Sequence, residues 1–161
     1  MKKRKVVALF TIDEVKDIIA KRGFETYYCD GKTFKVPMGS GRLKAFVRDN
    51  FTCTECGTKG IQFQLCRAGK TYKNDIYKGK LHLVDEKNHE LEQDHIFPQV
   101  YGGIIIPQNI QTLCGHCNRK KGHSLLWTLK RSPKKLFIAI FYIIKFKIKW
   151  HLGLYKDEVE A

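Results

Sequence analysis

The sequence predicts a fold of the α+β class, because stretches with helical periodicity and stretches with strand periodicity occur along one chain. Residues 12–22 carry apolar side chains at helical spacing, and residues 24–36 show the pattern of a hairpin. Two Cys-x-x-Cys pairs, at 53–56 and 114–117, are typical of a small domain stabilised by a metal. With 161 residues, the chain is long enough for one domain of ordinary size and flanking segments.

The first element is predicted to be a short helix near residues 12–22. Thr11 and Glu14 have the spacing of a capping box, in which each side chain bonds a backbone N–H of the other residue. Apolar residues then repeat at helical spacing, and Gly23 is a typical stop signal.

The second element is predicted to be a hairpin over residues 24–36, since aromatic and β-branched residues flank Asp30-Gly31, a dipeptide common in two-residue turns. Residues 37–41 read Pro-Met-Gly-Ser-Gly, a cluster that predicts a break in regular structure and a plausible boundary. The apolar residues of 43–47 then predict one or two turns of helix.

Periodicity in the second half of the chain is less decisive. Residues 62–65 and 81–84 alternate as strands do, and the lysine-rich stretch 70–80 between them predicts a long exposed loop. Residues 136–144 are apolar throughout and fit either a strand or a buried helix. Apolar residues alternate with lysines over 145–150, which predicts a strand.

The charge of the chain indicates an anionic partner. Lys and Arg number 30 against 16 acidic residues, for a net charge of +14. Between Asp94 and Asp157 there is no acidic residue, although that stretch holds many lysines and arginines. A long stretch of one sign suits a phosphate backbone, whose counterions are released on binding. A merely basic surface is the alternative, but we favour a nucleic-acid partner.

No targeting or membrane segment is predicted. The basic start followed by an apolar run imitates a secretory signal, but Asp13 and Glu14 interrupt it and no small-residue cleavage site follows. The apolar run 136–144 is too short to span a bilayer. We therefore expect a soluble, cytoplasmic protein with no membrane partner, in which cysteines serve as metal ligands or free thiols rather than disulfides.

The two Cys-x-x-Cys pairs predict a structural zinc site. Cys53 and Cys56 form one pair, and Cys114 and Cys117 the other. Two intervening residues let both sulfurs of a pair converge on one ion, and two pairs complete a tetrahedral site without an open position. One pair alone would be weak evidence, because such a pair can be redox-active or accidental. The long separation requires a folded segment between the pairs.

A dense motif surrounds the second cysteine pair. It reads Glu92-Gln93-Asp94-His95-Ile96-Phe97-Pro98, then Gly102-Gly103, then Asn109-Ile110-Gln111-Thr112-Leu113-Cys114, and ends in Cys117-Asn118-Arg119-Lys120-Lys121-Gly122. On these residues the chain resembles the HNH endonuclease family, which is built on a ββα-metal, or His-Me finger, core. With the first cysteine pair, the resemblance spans about residues 46–123.

The resemblance implies a metal-dependent endonuclease that hydrolyses DNA, expected to be double-stranded. His95 is then the general base, since imidazole titrates near neutrality, and Asp94 is a ligand of a catalytic Mg²⁺ or Mn²⁺. Asn118 corresponds to the second metal ligand, supplied from a helix. Asn109 corresponds to the middle residue of the motif, which fixes the loop that carries the base. If Asp94 and His95 lie on an extended strand, they point to opposite sides.

Basic residues next to the motif are expected to contact nucleic acid. They are Arg119, Lys120 and Lys121, of which Lys121 lies one helical turn after Asn118 and is expected to reach a phosphate. Residues 2–6, which begin Lys-Lys-Arg-Lys, are expected to form a DNA-contacting arm, and a nuclear-import signal is the alternative.

The chain therefore divides into three predicted segments. Residues 1–45 form a small N-terminal α/β extension, residues 46–123 the nuclease domain with its zinc knuckles, and residues 124–161 an apolar, basic C-terminal segment. That last segment is predicted either to complete the core or to form the contact of a homodimer, and a contact with a membrane surface is the less favoured alternative. Two other functions stay open: a non-catalytic zinc module that binds nucleic acid, and a nuclease directed at RNA.

Overall fold

The computed structural model describes residues 5–19, 23–71 and 76–152, and it is a mixed arrangement of helices around a sheet. In chain order the elements are β1 (Val6–Thr11), α1 (Ile12–Ile19), β2 (Phe24–Cys29), β3 (Lys32–Pro37), α2 (Gly41–Arg48), β4 (Gln62–Thr71), β5 (Ile76–Val84), β6 (Glu90–His95), β7 (Ile110–Cys114), α3 (Gly115–Lys121), α4 (Leu125–Arg131) and α5 (Pro133–His151). Two short 3₁₀ turns, Gln99–Tyr101 and Pro107–Asn109, lie between β6 and β7. The predicted combination of helices and sheet is confirmed.

Within the described residues, seven strands form one sheet. Five of them run in the order β1-β4-β5-β3-β2. β6 pairs with the C-terminal end of β5, and β7 pairs with β6. β4 and β5 are antiparallel, with Phe63 opposite Leu83, whereas β3 runs parallel to the start of β5. β6 pairs with Leu83 and Val84 at the end of β5 and with β7 along its length. The β6–β7 pair is therefore attached to the larger sheet through the end of β5.

The predicted capping box and first helix are confirmed. The Glu14 carboxylate accepts hydrogen bonds from the N–H of Thr11 at 2.6 Å and from its hydroxyl at 2.7 Å. The Thr11 hydroxyl oxygen in turn accepts from the N–H of Glu14 at 3.2 Å. α1 starts at Ile12 and is described to Ile19, while residues 20–22 of the predicted helix lie outside the described residues.

The predicted hairpin and second helix are also confirmed. β2 and β3 pair from Phe24 to Cys29, and Asp30 and Gly31 between them have φ values of 50° and 69°. Positive φ at both central residues is the geometry that gives a two-residue turn the twist of its flanking strands. Within the breaker cluster, the side chain of Ser40 caps α2 by accepting from the N–H of Leu43 at 3.4 Å.

One buried cluster joins the N-terminal elements to the motif-bearing strands. Val15 of α1, Phe34 of β3 and Phe46 of α2 share it with Leu91 of β6 and Leu113 of β7. Each of these side chains is almost fully buried, and burial of such a side chain contributes about 1.5–3 kcal/mol. The elements before residue 46 therefore stabilise the strands that carry the candidate site.

The prediction of a long exposed loop over residues 70–80 is wrong. β4 extends to Thr71 and β5 begins at Ile76, so that most of this stretch is strand; residues 72–75 lie outside the described residues. Lys78 and Lys80 belong to β5 and pair with residues of β3 and β4. The lysines gave this stretch the composition of a loop, whereas backbone pairing between strands leaves little trace in composition.

The prediction of a strand over residues 145–150 is wrong as well, because these residues belong to α5, which also takes in 136–144. Six residues span less than two helical turns, too few to separate a period of 2 from one of 3.6. Pro133 stands in the first turn of α5, where its missing N–H is not needed. The helix buries only Leu136, Ala139 and Ile143. None of the described helices is both long and apolar enough to span a membrane.

Candidate functional site

The candidate site is built on β6, β7 and α3, which follow one another in the chain. β6 and β7 are antiparallel, with Asp94 opposite Gln111 and His95 opposite Ile110. α3 starts directly after β7 at Gly115 and lies against both strands. The end of β6 and one face of α3 therefore meet.

An open cavity of about 240 Å³ lies where these elements meet. Asp94, His95 and Asn118 all line it, together with residues of the turn after β6 and of the end of α3. The structure therefore brings together three polar side chains that stand up to 24 positions apart in the sequence.

Asp94 is held by two hydrogen-bond donors from different elements. Its Oδ2 accepts from Nε2 of Gln111 at 2.9 Å, and its Oδ1 accepts from Nζ of Lys121 at 3.1 Å. The Gln111 amide is itself oriented by the hydroxyl of Thr54, which donates to its Oε1 at 3.2 Å. Because Asp94 is buried, these bonds compensate for the loss of water around its charge.

Lys121 occupies a different place from the one expected. Its side chain is buried, with 2% of its surface exposed, and its ammonium also donates to the backbone oxygen of His95 at 2.8 Å. A side chain enclosed in this way does not fit the predicted contact with a phosphate. The helical spacing did place it on the same face as Asn118, and both residues line the cavity next to β6.

One imidazole nitrogen of His95 lacks a hydrogen-bond partner within the described part of the chain. This atom, Nε2, is buried. Burial lowers the pKa of His95, the charge of Asp94 opposes this effect, and the charge of Lys121 adds to it. The net decrease favours the neutral imidazole, which is the form that can accept a proton.

Asn109 ties together the loop that follows His95. Its Oδ1 accepts from the N–H of Phe97 at 2.8 Å, and its Nδ2 donates to the carbonyls of Phe97 at 3.2 Å and Ile104 at 2.9 Å. The side chain is fully buried. Asn109 ends the 3₁₀ turn that precedes β7.

The Gly102-Gly103 pair is required by the close path of this loop. Gly102 has a φ of 90°, in the region that favours glycine. A Cβ on Gly103 would stand 2.0 Å from the carbonyl oxygen of Phe97, so that no larger residue fits. The pair lies just after the first 3₁₀ turn and lets the chain pass close to its own backbone.

A second buried cluster supports the same loop from the C-terminal segment. Ile96, next to His95, packs against Leu136 and Ala139 of α5. Thr128 of α4 is also close, with its hydroxyl 3.5 Å from the backbone oxygen of Ile96. α4 and α5 therefore position the loop that follows His95.

The four predicted zinc ligands come together in one cluster. The sulfurs of Cys53, Cys56, Cys114 and Cys117 all lie within 4.8 Å of one another. Cys114 also caps α3, since its sulfur accepts from the N–H of Cys117 at 3.4 Å. Four converging soft donors fit a closed tetrahedral site of the kind that zinc occupies in structural centres.

The loop that carries the first cysteine pair is fixed to β7. The N–H of Thr54 donates to the carbonyl of Thr112 at 2.9 Å, and the N–H of Cys53 donates to Thr58 at 2.8 Å. Gly57, with a φ of 76°, allows the tight turn after Cys56. The cysteine cluster therefore joins this loop to the start of α3.

The thiols of the cluster differ in acidity. Burial raises the pKa of the Cys53 thiol to about 11, and burial also raises the pKa of Cys117 well above its ordinary value. Burial acts in the same direction on Cys56, but hydrogen bonds from Thr58 and from neighbouring cysteines outweigh it and lower its pKa to about 6. Because thiolates are the ligands of zinc, binding of the metal must release protons from this cluster.

The remaining basic candidates are on the surface. Arg119 and Lys120 are exposed, as is His116 between the zinc ligands. Lys147 of α5 extends towards the loop, since its Nζ stands 3.2 Å from the position of a Cβ on Gly102. Residues 2–4 of the predicted N-terminal arm lie outside the described residues.

The sequence analysis did not identify the side chains that form hydrogen bonds to the predicted site residues. Gln111 and Thr54 support Asp94, and Glu92 accepts a hydrogen bond from Asn118. A usable signal existed for Glu92, because residues two apart on a strand share a face and Asp94 follows it at that spacing. No signal in the sequence pointed to Thr54.

Comparison with known proteins supports the resemblance over part of the chain. Residues 84–134 match a family model described as HNH endonuclease. The match runs from the end of β5 to the start of α5 and includes Asp94, His95, Asn109 and Asn118. The chain matches no curated protein and no solved structure.

Proposed function

We propose that this chain is an endonuclease that hydrolyses DNA phosphodiester bonds at the cavity formed by Asp94, His95 and Asn118. The family match over residues 84–134 supports nuclease chemistry in general. The observation that carries the specific proposal is the convergence of an imidazole, a carboxylate and an amide on one open cavity. In this proposal β6, β7 and α3 form the ββα-metal core.

His95 acts as the general base. Its pKa is lowered, so that the imidazole is neutral and able to take a proton from the attacking water. Asn109 makes three hydrogen bonds to the loop that follows His95. It therefore positions His95 without touching the substrate. This refines its predicted role, because a fully buried side chain has no access to the reacting atoms.

Asp94 and Asn118 would hold the catalytic Mg²⁺ or Mn²⁺. Carboxylate and amide oxygens are the ligands that such ions prefer, and each Asp94 oxygen has two lone pairs, so its bonds to Gln111 and Lys121 leave acceptor capacity. When bound, the ion would stabilise the negative charge that develops on the phosphate. Lys121 fixes Asp94 and the end of β6, in place of the phosphate contact first expected.

The zinc site serves as scaffold. Cys53, Cys56, Cys114 and Cys117 would enclose the ion and leave no position for a substrate. Zinc then connects the loop of the first cysteine pair to α3, the helix that carries Asn118. Its contribution to the reaction is to keep that helix in place.

The DNA lies on the basic surface around the cavity. Arg119 and Lys120 extend from α3 beside Asn118, and Lys147 reaches from α5 to the glycine turn. A duplex substrate fits the long one-sign stretch, since its phosphates release counterions when lysine and arginine replace them.

One cavity with one His-Asp pair cuts one strand at each encounter, so the monomer nicks DNA and a double-strand break needs a homodimer. The contact would involve the exposed face of α5, because Phe137, Phe141, Ile144 and Ile148 are each more than half exposed. The apolar residues of 136–144 that point the other way are already buried within the chain.

Cleavage of supercoiled plasmid by zinc-loaded protein tests this function. We expect a nicked product in Mg²⁺ or Mn²⁺ and none in buffer without added divalent ion. RNA of matched sequence serves as the competing substrate, and faster cleavage of RNA would replace DNA as the substrate. Nucleic-acid binding without cleavage in any of these ions would contradict the proposal and favour a non-catalytic zinc module.

A further inference from the structure

Glu92 stands directly behind one of the two proposed ligands of the catalytic metal. It lies two residues before Asp94 on β6, so that the two side chains share a face of the strand. It is partly buried, and its Oε2 accepts a hydrogen bond from Nδ2 of Asn118. The contact links β6 to α3 beside the cavity.

The chemistry of this contact decides which way the Asn118 amide faces. An ionised carboxylate only accepts hydrogen bonds, whereas the two ends of an amide differ: the nitrogen donates and the oxygen accepts. The nitrogen must therefore face Glu92, and Oδ1 is left as the end available to the cavity. Asn118 lines the cavity that contains Asp94 and His95, whereas Glu92 lines a larger cleft of about 840 Å³ next to it.

An amide turned by 180° would present its NH₂ group to the cavity. That group cannot bind a cation, so the rotated state would remove one ligand. Hydrogen bonds to an ionised acceptor are about twice as strong as those between neutral groups, which makes Glu92 an effective lock on the rotation. The amide of Gln111 is oriented in a similar way, between Thr54 and Asp94.

We propose that Glu92 is a positioning residue that holds the Asn118 amide with its oxygen towards the catalytic metal. The inference rests on the proposed function in assigning a metal to Asp94 and Asn118. Glu92 acts through Asn118 and needs no contact of its own with the metal or the DNA. Residues that orient metal ligands typically change metal affinity by about 10–100-fold when they are removed.

Direct Mn²⁺ binding to the zinc-loaded protein tests this role, because it does not depend on cleavage. The free ion is measured by electron paramagnetic resonance for the wild type, Glu92→Ala, Glu92→Gln, Asn118→Ala and the double variant Glu92→Ala with Asn118→Ala. Glu86→Ala, which removes an equal charge from an exposed turn nearby, is the matched control. Zinc content and melting temperature are recorded for each variant.

We expect Glu92→Ala to weaken Mn²⁺ binding by about 10-fold or more, while Glu86→Ala leaves it nearly unchanged. Glu92→Gln should keep binding within about 3-fold of the wild type, because its amide oxygen still accepts from Asn118. In the Asn118→Ala background, removal of Glu92 should have no further effect, since a residue that acts through another is coupled to it.

Three results would overturn the proposal. Additive losses in the double variant would mean that Glu92 acts independently of Asn118. An equal loss in Glu92→Gln and Glu92→Ala would assign the effect to charge or to direct ligation. Unchanged Mn²⁺ binding with a lowered melting temperature would leave Glu92 with a structural role alone.

Failure of the proposed function gives a different result. A wild-type chain that binds Mn²⁺ with the expected Glu92 and Asn118 dependence, yet cleaves no nucleic acid, would retain the positioning role and lose the nuclease. If the zinc-loaded wild-type chain binds no Mn²⁺, both the nuclease function and the positioning role of Glu92 are rejected.

Discussion

Asp94 shows at the residue scale how a buried charge can stay available for chemistry. Lys121 of α3 and Gln111 of β7 both donate hydrogen bonds to its carboxylate. The Lys121 side chain is itself buried. This ion pair fixes the end of β6 beside the cavity. The same carboxylate is the proposed ligand of a divalent ion, and its bonds to the protein leave lone pairs free.

Replacement of Lys121 by Met therefore tests a structural role against a phosphate contact. We expect Lys121→Met to lower the free energy of unfolding by about 3 kcal/mol, because removal of one partner leaves a buried charge unpaired. Urea denaturation of the zinc-loaded protein measures this loss, and adding Asp94→Asn should restore part of it.

Lys120→Met is the matched control, since Lys120 is the exposed neighbour on α3. It should change stability by less than about 0.5 kcal/mol and weaken DNA binding. Full stability of Lys121→Met together with a loss of DNA affinity would assign Lys121 to a phosphate contact instead.

The elements that carry the site are held by contacts between remote segments. α3 begins at the second cysteine pair, and the loop of the first pair bonds to β7 through Thr54. With only seven residues, α3 is too short to be stable alone. Its position depends on packing against β6 and β7 and on the cysteine cluster.

Purified protein should therefore contain about one tightly bound zinc ion per chain, measured by elemental analysis. Cys114→Ser should lose the zinc and unfold the region around α3, because metal binding and folding are coupled. Cys66→Ser is the matched control: Cys66 is also buried but lies on β4, outside the cluster. Well-folded protein with no zinc would reject the assignment.

Local signals predicted local features well. The capping box at Thr11, the turn at Asp30-Gly31 and the convergence of four cysteines each depend on residues a few positions apart or on a strict spacing. α5 was misjudged because its alternating lysines mimic a strand over six residues, whereas its buried residues, Leu136, Ala139 and Ile143, recur at helical spacing before that stretch. Thr54 and Gln111 could not be found, because their role depends on the pairing of distant segments.

At the scale of the whole molecule, α5 packs against the site on one side and exposes an apolar surface to solvent on another. One face packs on the loop that follows His95, and a separate face exposes Phe137, Phe141, Ile144 and Ile148. Their 4-3-4 spacing is that of a helix–helix contact. Apolar patches of several hundred Å² on a folded protein commonly mark an interaction site.

The proposed homodimer leads to a specific expected pattern of cleavage. Sedimentation should show a dimer at working concentration, and that dimer should linearise supercoiled plasmid. Phe141→Ser with Ile144→Ser should give a monomer that only nicks, because one cavity reaches one strand. Leu126→Ser, at an exposed apolar residue of α4, is the control and should remain dimeric. A strict monomer that linearises plasmid in one step, without a nicked intermediate, is incompatible with this account.

The measurement that tests the central claim most directly is plasmid cleavage by His95→Ala, compared with His116→Ala, an exposed histidine on the same motif. Loss of a general base should slow cleavage by about 100–10,000-fold. The affinity for DNA should change little, because it depends on lysines and arginines. His116→Ala should retain activity. Cleavage by His95→Ala at the wild-type rate, with zinc and metal present, would contradict the account.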